Sequence, residues 1–189
     1  MININEHYDY RVMVDALCKS GSDIAKEANA HTMHMTHMAM GISGEVAELY
    51  SAVVNRDAEN GLEEIGDVIF YATSIIDDQG IDLMQDNLHE ERLECRELVE
   101  IRAERSIIAC VTISGRIIDA VKKYSMYGQE LNKELLSECI IELIRKLNHI
   151  VDYFGLTPQQ VIDHNMAKLQ LRYASGGYSD EEAKARNDK

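Results

Sequence analysis

Pro158 is the only proline in 189 residues, where an average chain would carry about 9. Proline ends or kinks a helix, because it lacks an N–H donor and its ring clashes with the preceding turn. A chain nearly free of it can run long helices. Apolar residues recur at three- and four-residue spacing almost throughout, the period of a helix with one buried face. The expected fold class is therefore all-α, a helical bundle. With no tryptophan and two phenylalanines, its core must be built from Ile, Leu, Val, Met, Ala and Tyr.

The punctuation predicts the elements. A first amphipathic segment covers 5–19 and breaks at Ser20-Gly21-Ser22. A long helix is expected from near Ala28 to about Asn55. Asn60-Gly61 reads as a turn, and Asn60 with Glu63 has capping-box spacing, so Glu63 reads as a capping partner and not a ligand. The next helix runs to about Asp78 and stops at Gly80. Residues 82–105, dense in Glu and Arg with a thin apolar stripe, read as a solvated helix or connector. Helices then cover about 104–125 and 132–154, with Gly128 in the loop and Gly155 at the end. Thr157-Pro158-Gln159-Gln160 starts a helix that ends near Tyr173. The polar tail after Gly176-Gly177 is expected to be loosely ordered.

The halves resemble each other. Ile42-Ser43-Gly44 matches Ile113-Ser114-Gly115 at an offset of 71. At an offset of 75, Glu63, Ile69, Ile75, Asp77, Gly80 and His89 fall on Glu138, Ile144, Ile150, Asp152, Gly155 and His164. Duplication predicts a first repeat over 1–81, a charged connector over 82–105 and a second repeat over 106–189.

Thirty-three Asp and Glu against nineteen Lys and Arg leave a net charge of −14. That excludes a general binder of nucleic-acid polymers, which presents a basic face. No apolar run approaches the ~18 residues of a membrane span, so no membrane partner is expected. Cys18, Cys95, Cys110 and Cys139 are scattered and read as reduced thiols of a cytoplasmic protein.

The chemistry concentrates in Glu45-x-x-Glu48 and Glu64-x-x-Asp67. Residues three apart share a helix face, so two such pairs on antiparallel helices can aim four carboxylates at one point. Four converging carboxylates cannot all stay ionised inside a bundle without cations. Hard oxygen donors select Mg²⁺, with Mn²⁺ as a substitute. Gly41, Gly44 and Gly66 lie beside these residues at a cost of roughly 1 kcal/mol each against alanine in a helix, which implies a close approach by a helix or a ligand. His31, His34 and His37 fan too widely around one helix for three-ligand coordination, and Asp86-x-x-His89 is one pair where a di-iron bundle needs two.

These residues carry a resemblance. His37-x-x-Met40-Gly41-Ile42-Ser43-Gly44-Glu45-Val46-Ala47-Glu48-Leu49, followed by Leu62-Glu63-Glu64-Ile65-Gly66-Asp67-Val68-Ile69-Phe70-Tyr71, resembles the MazG-like nucleotide pyrophosphohydrolases. These belong with the dimeric dUTPases to the all-α NTP pyrophosphatase group. The family pattern is E-E-x-x-E, a spacer, then E-x-x-D, and Gly44 stands where its first Glu would be. The second half is similar again through Asp119-Ala120-Val121-Lys122-Lys123, Tyr127-Gly128, Asn165-x-x-Lys168-Leu169-x-x-Arg172-Tyr173, Ser179-Asp180 and Ala185-Arg186.

The resemblance implies two MazG-like repeats forming a pseudo-dimer, the second one degenerate, and assembly into a homo-oligomer. It implies Mg²⁺-dependent hydrolysis of a (d)NTP to the monophosphate and pyrophosphate in nucleotide-pool control, phage-encoded members included. Glu45, Glu48, Glu64 and Asp67 would be the metal-binding and catalytic set. Lys168, Asn165, Lys122, Arg172 and His37 would line the substrate. In the second repeat the four acidic positions fall on Arg116, Asp119, Cys139 and Glu142, while Asn165 and Lys168 fall on Glu90 and Leu93 in the first. Complementary losses imply one composite site. Tyr50, Tyr71, Tyr124 and Tyr127 could stack on a base or simply pack. Two other readings stay open: a bundle that binds a nucleotide or protein without hydrolysis, and an interaction protein using the charged 82–105 segment.

Overall fold

The computed structural model describes residues 8–83, 93–186 and 188. They form eight helices: α1 (Tyr8–Leu17), α2 (Gly21–Glu27), α3 (Ala30–Asn55), α4 (Ala58–Gln79), α5 (Arg96–Tyr127), α6 (Lys133–Phe154), α7 (Pro158–Arg172) and α8 (Asp180–Ala185). The all-α expectation holds. Among the described residues no helix is long and apolar enough to cross a membrane.

Two helical hairpins, α3–α4 and α5–α6, pack through α3 against α5 and α4 against α6, and α7 lies on α4. Helices α3 and α5 run antiparallel. Ser125 Oγ donates to the Thr32 carbonyl at 3.1 Å, and Arg56 meets Glu100 at 3.7 Å at the other end. One core joins all five helices. Ile42, Leu49, Ile65, Ile75, Ile117, Leu136, Ile140, Leu143, Leu147 and Val161 are among its buried members. Each such aliphatic side chain contributes roughly 1.5–3 kcal/mol by leaving water.

Local chemistry sets the helix ends. Asn29 and Thr32 cap the start of α3 reciprocally, and Thr157 and Gln160 do the same for α7, whose first residue is Pro158. Gly80, Gly128 and Gly155 take left-handed conformations at the ends of α4, α5 and α6.

The expected elements change in detail. Asp57 caps α4 by accepting from the Asn60 amide at 3.1 Å, so Asn60-Gly61 is helix and not a turn, and Glu63 is not a capping partner. The break expected at Ser20 is present, and Ser20 also caps the short helix α2 that follows. Residues 96–105 take the helix reading and not the connector one, and most of them are exposed. They are the first turns of the 32-residue α5, with Val99 and Ala103 in the core, and the helix passes unbroken through the boundary expected at 105. The rest of that stretch, 84–92, and with it Asp86, His89 and Glu90, lies outside the described residues. The tail is not uniformly loose, because Ser179 caps α8.

Candidate metal centre and its cationic rim

Helices α3 and α4 bring the acidic pairs face to face. Ligand oxygens of Glu45, Glu48 and Glu64 all lie within 4.8 Å of one another. Glu64 is buried, Glu45 half-buried and Glu48 exposed, so the trio opens from the core to solvent. Burial raises the Glu64 carboxyl most, to about 8, helped by its hydrogen bond to Glu45 and by the charges of Glu48, Glu45 and Asp67. Burial also raises Glu45, although the hydrogen bond from Glu64 pulls it back. Three carboxylates held this close need either a proton or a cation between them.

Asp67 stands beside the trio and is held from α7. Asn165 donates Nδ2 to its Oδ1 at 2.7 Å, and Lys168 donates Nζ to its Oδ2 at 2.5 Å. Lys168, buried, also reaches Glu63 at 3.2 Å. This seating depends on Gly66. A Cβ there would lie 2.9 Å from the Asn165 Cβ, so only glycine lets α7 approach α4 this closely. Gly41 likewise accommodates the Tyr71 ring, whereas a Cβ on Gly44 would meet nothing within 4 Å.

A cleft of about 230 Å³ opens over the carboxylates, with Glu63, Phe70, Tyr71, Arg172, Tyr173 and Arg186 on its walls. Arg172 is gripped by Asp188, its Nε and Nη2 donating at 2.7 and 2.5 Å. That pairing lowers the Asp188 carboxyl to about 2 and raises the guanidinium further. Burial, then the charges of Glu45 and Asp67, raise the Tyr71 phenol.

No known family, curated protein or solved structure matches the chain.

The residues expected at a site divide accordingly. Glu45, Glu48, Glu64, Asp67 and Arg172 line one cleft, and Asn165 and Lys168 hold Asp67 at its edge. His37 lines a neighbouring groove and meets the Tyr71 ring edge to face at 5.9 Å. Lys122 is not brought there. It is exposed near the far end of α5, its ammonium 5.8 Å from the Tyr127 ring. Tyr50, Tyr124 and Tyr127 do not line the cleft either; Tyr124 instead bonds His31 at 2.7 Å. His31 also bonds Asp78, and His34 bonds Ser74, so neither faces the acidic trio. Sequence reasoning missed Glu63, because the Asn60 pairing was an attractive alternative. It also left Arg186 without a role, although the tail motif contains it.

Proposed function

We propose that the chain is a divalent-cation-dependent nucleoside triphosphate pyrophosphohydrolase, releasing a (d)NMP and pyrophosphate. The observation that carries this reading is the convergence of Glu45, Glu48 and Glu64 beneath a rim bearing Arg172 and Arg186. The donor set fits Mg²⁺ or Mn²⁺: all its ligand atoms are carboxylate oxygens, and they are close enough to share one hard cation. Such a cation, when bound, polarises phosphoryl oxygens and makes water a better nucleophile. Arg172 and Arg186 would neutralise the charge of the polyphosphate chain. Lys168 and Asn165 would hold Asp67 in place and keep α7 against the site.

The α–β bond is chosen by the resemblance, as are the pseudo-dimeric arrangement, the assembly into a homo-oligomer and the setting in a cytoplasmic nucleotide pool. The composite-site idea gains support from Asn165 and Lys168, which come from the second half and bond a carboxylate of the first.

The test is product analysis with Mg²⁺ and each NTP and dNTP, beside Glu48→Ala. The exposed Glu48 can be removed without disturbing the core. Monophosphate and pyrophosphate in equal amounts, lost in the variant, are expected. Orthophosphate release, or equal turnover by Glu48→Ala, would overturn the proposal.

A further inference from the structure

A groove of about 880 Å³ adjoins the acidic cleft and shares Phe70, Tyr71 and Tyr173 with it. Its walls are aromatic on two sides. Phe70 and Tyr71 on α4 meet at 5.2 Å, and Tyr173 and Tyr178 after α7 meet at 5.8 Å. Aromatic faces of this kind hold flat π systems by stacking. Among its described lining residues a single side chain is a formal anion or cation, Asp77.

Asp77 sits ten residues after Asp67 on α4, about 15 Å further along the axis. Phe70, Tyr71 and Ser74 lie between them, at helical spacings that keep them on the same side. That span matches the reach of a nucleotide from its phosphates to the far edge of its base. A phosphate chain over the acidic trio would therefore bring the base between the aromatic walls and its outer edge towards Asp77.

A carboxylate accepts hydrogen bonds and does not donate. It matches a base edge with two adjacent donors. Guanine has one, in N1–H and the 2-amino group. Adenine and cytosine set a ring-nitrogen acceptor beside their amino group, and uracil and thymine set one donor between two carbonyls. We infer that this groove is a nucleobase seat and that Asp77 selects guanine. The inference rests on the pyrophosphohydrolase reading for the position of the phosphates.

Calorimetric titration of the whole protein with nucleoside monophosphates tests it without requiring turnover. Guanosine monophosphate is expected to bind best, and inosine monophosphate, lacking the 2-amino group, about 10-fold more weakly. Asp77→Asn, an exposed and nearly isosteric change, should weaken guanosine monophosphate by roughly 10- to 100-fold. It should also reverse the preference towards xanthosine monophosphate, whose 2-carbonyl accepts from the new amide. Equal binding of all bases, no binding at millimolar concentration, or a preference unchanged in Asp77→Asn would overturn the assignment. Guanine-selective binding with no hydrolysis of GTP or dGTP would keep the seat and defeat the hydrolase reading. Hydrolysis confined to pyrimidine nucleotides would do the reverse.

Discussion

Glu64 is where the fold and the proposed chemistry conflict most directly. Its carboxyl stands at about 8 in the folded chain against an ordinary 4.5. Below pH 4.5 it is protonated in both states and has no effect on stability. From 4.5 to 8 the unfolded chain releases the proton and the folded chain keeps it, so the metal-free protein loses stability as pH rises. Above 8 the loss is constant, on the order of a few kcal/mol. Thermal melts in EDTA should therefore show a falling Tm between pH 5 and 8, and Glu64→Gln should flatten that slope; an unchanged slope would place the titrating group elsewhere. Added Mg²⁺ should raise Tm more at pH 8 than at pH 5, because its ligands must first lose their protons. Lys168 poses the converse problem. Lys168→Met leaves Asp67 and Glu63 without the ammonium between them and should lower stability by about 3 kcal/mol in urea melts. Adding Asp67→Asn should recover part of that loss, whereas simple additivity of the two changes would mean the pair is not coupled.

The glycines test the argument at the level of the elements. Gly66→Ala drives a methyl group into Asn165 and should cost about 1–3 kcal/mol by pushing α7 off α4. Gly44→Ala meets open space and should gain up to about 1 kcal/mol from helix propensity alone. Denaturant midpoints of the two variants should move in opposite directions; movement the same way would mean that the α4–α7 contact does not depend on Gly66. The same elements explain what the sequence made legible. The start of α7 was readable because Thr157 acts through neighbours in the chain, as does Gly80 at the end of α4. The start of α4 was not, because Asn60-Gly61 has turn chemistry. Gly61 is instead explained by Phe154, a residue of α6 whose ring occupies the space of a Cβ. The acidic trio was legible from its three-residue spacing. The roles of Lys168 as a clamp on Asp67 and of Asp188 as the partner of Arg172 were not, since both depend on contacts between separate segments.

At the scale of the molecule, one core decides how the chain must behave. The contacts Thr32 to Ser125 and Arg56 to Glu100 put Ile42-Ser43-Gly44 level with Ile113-Ser114-Gly115 across the antiparallel α3–α5 pair. These are the segments that match in sequence. Like crossing like at the middle of an antiparallel pair is what a duplicated hairpin about a two-fold axis produces, so this register supports the duplication. Yet the halves are not independent units. Helix α3 buries Met35, Ile42, Val46 and Leu49 in a cluster that also holds Ile107, Cys110, Ile113 and Ile117 of α5. A fragment ending at residue 105 would keep the acidic trio but lose most of α5, all of α6 and the α7 clamp. It would expose that apolar face, and the net loss would exceed the 5–15 kcal/mol that holds a typical domain together. The intact chain should therefore melt in one transition, with calorimetric and van't Hoff enthalpies equal. The 1–105 fragment should show no cooperative melt and no gain in Tm with Mg²⁺. Two separate transitions in the intact chain, or a fragment that melts cooperatively, would mean that the repeats fold alone and that the shared core is only an interface between them.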